Sequence, residues 1–77
     1  MREVVLYTKA GCHLCDAAKE QILAVRARVV FAFREVDITT DADLFDEHRY
    51  DIPVIEIDGR RAFKHRVDEV RLLESLL

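Results

Sequence analysis

Glu3-Val4-Val5-Leu6-Tyr7-Thr8-Lys9-Ala10-Gly11-Cys12-His13-Leu14-Cys15 changes its periodicity partway along. The stretch from Glu3 to Thr8 is rich in β-formers and stops at Ala10-Gly11, so it reads as a strand. After Cys12, Leu14, Ala18, Ile22 and Val25 recur at helical spacing, with Asp16, Lys19, Glu20 and Arg26 on the other faces. Neither Gly nor Pro interrupts this run, and good helix formers fill it, which predicts a helix from about His13 to Arg28. Two cysteines therefore stand where a strand hands over to a helix.

Further along, Phe31 to Ile38 carries aromatic and β-branched residues and reads as a second strand. Thr39-Thr40-Asp41 is a helix-capping cluster, and Ala42 to about His48 is helical in composition. Pro53 then excludes helix, and Val54-Ile55-Glu56-Ile57 reads as a third strand. Asp58-Gly59 signals a two-residue hairpin, because a type I′ turn needs positive φ at both central residues. Arg61 to His65 is then the return strand. Asp68 caps a last helix whose apolar positions are Val70, Leu73, Leu76 and Leu77, flanked by Leu72.

The order is β-α-β-α-β-β-α. A helix crossing between the first two strands makes them parallel with a right-handed connection, and the tight Asp-Gly turn makes the last two antiparallel. The economical solution is an α/β fold with a four-stranded mixed sheet flanked by helices. No internal repeat or linker interrupts it.

The chain has 77 residues, which is one domain spanning 1–77. Chains this short are marginal unless the core is efficient, and the 51% apolar content makes a single core feasible. The net charge of −3 argues against nucleic acid or an anionic membrane as partner. Arg60, Arg61, Lys64, His65 and Arg66 are a local exception: either a solvated hairpin face or a docking patch for an anionic partner. Val4-Val5-Leu6 is too brief for a signal or membrane-spanning segment, so the expected location is cytoplasmic, where thiols are kept reduced.

Position gives the cysteine pair its chemistry. The first turn of a helix has unpaired N–H groups and partial positive charge, so a thiolate at Cys12 is stabilised and its pKa falls below the free value of about 8.5. Lys9 and protonated His13 push the same way, and Asp16 opposes them. Cys15, at i+3, is a neighbour of Cys12 on the helix surface and lies further into the helix. It can resolve a mixed disulfide held on Cys12, which assigns Cys12 as nucleophile and Cys15 as resolving thiol. Other readings stay open. A structural disulfide closing so small a loop contributes only about 2 kcal/mol. Two inert thiols are a second. A metal or iron–sulfur site built on the same cysteines is a third, although such sites need about four ligands and His13 cannot easily converge with its neighbours on one ion. A redox-inactive adaptor that keeps only the fold is the last.

Tyr7-Thr8-Lys9-Ala10-Gly11-Cys12-His13-Leu14-Cys15 resembles the strand-lysine-cysteine pattern of glutaredoxins, within the thioredoxin superfamily. Ile52-Pro53-Val54 resembles the family's proline loop, and Asp58-Gly59 its hairpin turn. The similarity in element order covers nearly the whole chain. It implies a thioredoxin/glutaredoxin-like fold and a monomeric disulfide reductase serving cell redox homeostasis. Its substrate would be a disulfide-containing protein or the disulfide of a small thiol, reduced with thioredoxin reductase, thioredoxin or glutathione as electron donor and no resident cofactor or metal. The resemblance also implies a cis bond before Pro53. That would bring Ile52 beside Cys12, where it offers backbone hydrogen bonds to an extended substrate, with Lys9 and His13 as further substrate-binding candidates. Two departures stand out. His13-Leu14 lies between the cysteines where glutaredoxins usually carry Pro-Tyr, and after the hairpin Arg60-Arg61-Ala62-Phe63-Lys64-His65-Arg66 stands, before Val67-Asp68, in place of the double glycine that helps cradle glutathione.

Among the remaining residues, Phe31, Phe33 and Phe63 read as core or partly core, Phe45 as the inward face of the short helix, and Tyr7 as a strand residue. His48 and His65 read as solvated surface histidines. Asp37, at a strand end, reads as a cap or turn residue.

Overall fold

A computed structural model describes residues 1–77. Its elements are β1 (Glu3–Thr8), α1 (His13–Arg26), β2 (Ala32–Asp37), a 3₁₀ turn (Ile38–Thr40), α2 (Ala42–His48), β3 (Val54–Ile57), β4 (Arg60–Lys64) and α3 (Glu69–Leu76). The four strands form one sheet in the order β2-β1-β3-β4. β1 runs parallel to β2, and β3 is antiparallel to both β1 and β4. This is the four-stranded mixed α/β sheet that the element order predicts, in the thioredoxin-like arrangement that the resemblance implies.

Element ends moved by a residue or two from the sequence expectation. α1 stops at Arg26, where the chain closes into a turn as Arg28 N and Val29 N both donate to Val25 O. β2 ends at Asp37 because its carboxylate accepts from Thr39 N and starts the 3₁₀ turn in place of another strand residue. β4 runs from Arg60 to Lys64, and His65 leaves it in a left-handed conformation at φ 66°. At the hairpin, Asp58 and Gly59 have φ 52° and 83°, the pair of positive values that a type I′ turn demands.

One core lies on a single face of the sheet. Val4 and Leu6 of β1 and Ile55 and Ile57 of β3 meet Ala18, Ile22 and Val25 of α1, with Phe31, Val67, Leu72 and Leu76 closing the cluster. Phe33 and Phe63 pack against it partly buried.

Two apolar assignments need correction. Leu14 is 40% exposed, and Cys15 takes its place in the buried stripe of α1. At 3.6 residues per turn Cys15 lies within about 20° of Ile22 around the axis, whereas Leu14 lies about 80° away. In α3 the buried residues are Leu72 and Leu76, one turn apart, with Leu73 beside them; Val70 and Leu77 face solvent at 65% and 84% exposure. Asp68 does cap α3, accepting from Val70 N and Arg71 N.

The opposite face of the sheet is more polar. Val5 and Val54 are buried there, but Tyr7 and Glu56 share it, and α2 covers its end. At the sheet edge β4 is exposed and carries Arg60, Arg61 and Lys64, charges that discourage edge-to-edge pairing with a second chain. No helix is long and apolar enough to cross a membrane.

Candidate active site

The joint between β1 and α1 is built by a change of backbone hand. Gly11, at φ 80°, lets the chain leave the strand, and no atom lies within 4 Å of where its Cβ would be. The demand on Gly11 is therefore conformational, not steric. Cys12 follows in extended conformation as the N-cap of α1. Its Sγ accepts a hydrogen bond from Cys15 N at 3.1 Å, the position that a capping oxygen usually fills.

Cys12 and Cys15 are joined by a disulfide, with Cα atoms 5.2 Å apart. The two sulfurs differ in exposure. Cys12 is half-buried at the surface of the joint, and Cys15 is 1% exposed against the core. Asp16 is the one acid in the first turn and points to solvent. Lys9 and His13 are exposed as well. Lys9 borders a shallow depression shared with Thr8, Asp16, Glu35 and Asp37, and His13 does not reach it. No group of three or more His, Cys, Asp or Glu side chains gathers into a metal-binding cluster.

The Ile52-Pro53 bond is cis. The segment around it is tied on both sides. His48 O accepts from Asp51 N at 2.8 Å and from Ile52 N at 3.1 Å. His65 N donates to Asp51 O at 3.2 Å and to Pro53 O at 2.8 Å. The resemblance implies that Ile52 offers backbone hydrogen bonds to a substrate. Its amide is already engaged by His48, so the carbonyl is the group left free. The loop His65–Val67 that holds Pro53 also faces Leu14, Ala17, Ala18 and Gln21 of α1 across a cleft of about 110 Å³. The cleft lies between this loop and the helix that carries the cysteines.

His48 corrects the sequence reading. It is 2% exposed and lies on Tyr7 with ring centroids 4.4 Å apart. Tyr7 Oη donates to Glu56 Oε1 at 3.1 Å. Burial first, and Glu56 second, hold the phenol above its ordinary pKa. Arg61 lies 3.4 Å from His48 Nδ1. The spacing Leu44-Phe45-His48, with positions three and four apart on one helix face, was the available signal that His48 points inward. His65 is at the surface, as expected, although its left-handed backbone was not foreseen. Asp37 is an exposed cap: the Thr39 hydroxyl first, and then the Thr39 amide, keep its carboxyl below the ordinary carboxylate pKa.

Comparison with known proteins gives a consistent picture. Residues 3–77 match the model of the glutaredoxin-like domain (DUF836). The chain is 40% identical, over 92% of its length and 74% of the relative's, to the glutaredoxin-like protein YDR286C homolog of Dictyostelium discoideum. It superposes with a TM-score of 0.78 on the crystal structure of a structural-genomics target from X. campestris, at 33% identity and covering 95% and 93% of the two chains. A mutant thioredoxin from Halobacterium salinarum shares the fold at 14% identity, with a TM-score of 0.73 over 97% of this chain and 71% of that one.

Proposed function

The chain belongs to the glutaredoxin-like domain family, and we propose that it is a dithiol thiol–disulfide oxidoreductase in which Cys12 attacks and Cys15 resolves. The observation that carries this reading is the contrast between the two sulfurs: Cys12 Sγ sits at the helix cap accepting from the Cys15 amide, and Cys15 is sealed beneath it.

The dithiol form starts the cycle. The helix N-terminus lowers the free energy of a Cys12 thiolate, which attacks one sulfur of a substrate disulfide R–S–S–R′. A Cys12–S–S–R bond forms, the substrate S–S bond breaks, and R′S⁻ leaves and takes a proton from solvent. Cys15 gives up its proton and attacks Cys12 Sγ. The Cys12–Cys15 bond forms and RS⁻ departs, so the substrate gains two electrons and the enzyme is left oxidised. An external dithiol or thiol, such as thioredoxin, thioredoxin reductase acting directly, or glutathione, returns it to the dithiol. A reducing compartment such as the cytoplasm suits this cycle.

Substrate is held beside the sulfurs by the free Ile52 carbonyl next to Pro53, which accepts a backbone N–H from an extended segment in a one-residue form of strand addition. Lys9 and His13 lie exposed at the rim, where they meet an approaching anionic group. The chain acts as a monomer on a protein or small-molecule disulfide.

The test pairs turnover with trapping. Cys12→Ser abolishes reduction of a disulfide substrate. Cys15→Ser accumulates the substrate on Cys12 as a mixed disulfide visible by mass spectrometry. Normal turnover by Cys12→Ser would refute the assignment.

A further inference from the structure

Arg61 and His48 form a latch behind the proline segment. Arg61 reaches from the edge strand to two acceptors at once: Nη2 lies 3.4 Å from His48 Nδ1, and Nη1 lies 3.5 Å from Asp51 Oδ2. A guanidinium cannot accept a hydrogen bond, so Nδ1 is the acceptor and the ring proton sits on Nε2, which faces Glu47 Oε2 at 3.9 Å. Tyr7 holds the imidazole from β1 by stacking, and Glu56 lies opposite Arg61 in the β3–β4 register. With its side chain fixed in this way, His48 uses its carbonyl to hold Asp51 N and Ile52 N. His65 holds Asp51 O and Pro53 O from the other side. Every backbone hydrogen-bonding group from Asp51 to Pro53 is therefore engaged except one, the Ile52 carbonyl.

We propose that His48 and Arg61 are positioning residues that set the direction of the Ile52 carbonyl, and so govern affinity for disulfides flanked by a peptide N–H. The proposal rests on the disulfide-exchange reading above. Neither residue touches sulfur. Loosening the latch lets the carbonyl swing and weakens peptide capture without altering the exchange at Cys12 and Cys15. A substrate that has a disulfide but no amide N–H gains nothing from the carbonyl and does not sense the latch.

The experiment compares a disulfide-linked peptide with hydroxyethyl disulfide, which lacks an amide. Arg61→Met, on an exposed edge strand, raises KM for the peptide about tenfold with little change in kcat, so the peptide-to-hydroxyethyl ratio of kcat/KM falls about tenfold. His48→Phe keeps the stack on Tyr7, loses the acceptor, and gives the same fall. His48→Asn restores an acceptor and recovers most of the ratio. The double substitution His48→Phe/Arg61→Met is no worse than either single one, since the two residues act as a unit. Amide exchange at Ile52 accelerates in Arg61→Met more than at core strand residues. An unchanged ratio in Arg61→Met, or additive effects in the double substitution, would overturn the latch, and the Arg61 variant decides the matter even if His48→Phe fails to fold. A wild-type protein inactive toward both disulfides overturns the disulfide-exchange reading instead.

Discussion

The imidazole of His48 lies against the phenol ring of Tyr7, with centroids 4.4 Å apart and planes 25° from parallel. The contact joins α2 to the central strand β1 on the sheet face away from the main core, where few other apolar contacts hold the helix. His48→Ala removes the stack and leaves a cavity, with an expected cost of about 3 kcal/mol. Tyr7→Phe keeps the stack and loses only the bond to Glu56, with an expected cost of about 1 kcal/mol. Urea denaturation of the two variants measures the difference, and equal costs would show that the stack contributes little.

Cys12 should titrate as an activated thiol once the disulfide is reduced. The unpaired amides at the start of α1 favour its thiolate, so the alkylation rate of the reduced protein rises through a midpoint below about 8.5. Iodoacetamide kinetics against pH, run on Cys15→Ser to isolate the outer sulfur, give that midpoint. A value at or above that of free cysteine contradicts the nucleophile assignment.

Asp58 gives the chain an acid-sensitive tie. The Glu3 amide first, and Arg2 next, hold its carboxyl below the ordinary value, and both bonds span residues far apart in the chain. They exist in the folded state alone, so the folded carboxyl ionises at lower pH than the unfolded one. The stabilisation is therefore complete above the unfolded value of about 3.9 and is lost as pH falls through the lower folded value. Asp58→Asn keeps an acceptor for Glu3 N and tolerates the positive φ of the turn. Its melting temperature should lie below wild type at pH 6, with the gap narrowing below about pH 4.

α3 offers a direct check on which face is inward. Leu72 is fully buried, and Val70 is 65% exposed. Leu72→Ala should cost about 2–5 kcal/mol, and Val70→Ala about 0.5 kcal/mol or less. Chemical denaturation distinguishes the two, and similar costs would mean that the helix is rotated from the orientation described.

His65 occupies a left-handed conformation at φ 66°, where a side chain costs about 1–2 kcal/mol relative to glycine. Against that, glycine adds about 0.4–1 kcal/mol of unfolded-chain entropy. His65→Gly should therefore stabilise the protein by about 0.5–1 kcal/mol. A loss of stability would show that the imidazole makes a compensating contact.

Much of this architecture was legible from near neighbours in the chain. The strand-to-helix change at Gly11-Cys12 and the turn at Asp58-Gly59 are written in spacing and turn chemistry, which act over a few residues, as is the Asp68 cap. The boundaries were less legible, since residues such as Arg28 and Ile38 are compatible with more than one local conformation and the final hydrogen bond decides. Composition also misled in α3, where four apolar residues compete for a face that takes two fully.

What the sequence determined by itself, then, was the order of elements and the location of the cysteine pair at the head of a helix; the candidate role of Pro53 came from the resemblance. Tertiary structure alone decided that Cys15 and not Leu14 turns inward, that His48 is buried on Tyr7, and that Arg61 ties His48 to Asp51. It also decided that Ile52 keeps only its carbonyl free. The physical reason is range: capping, turns and periodicity act between residues a few positions apart. Burial and side-chain pairing depend on which surfaces the sheet brings together, and those partners stand on different strands and helices.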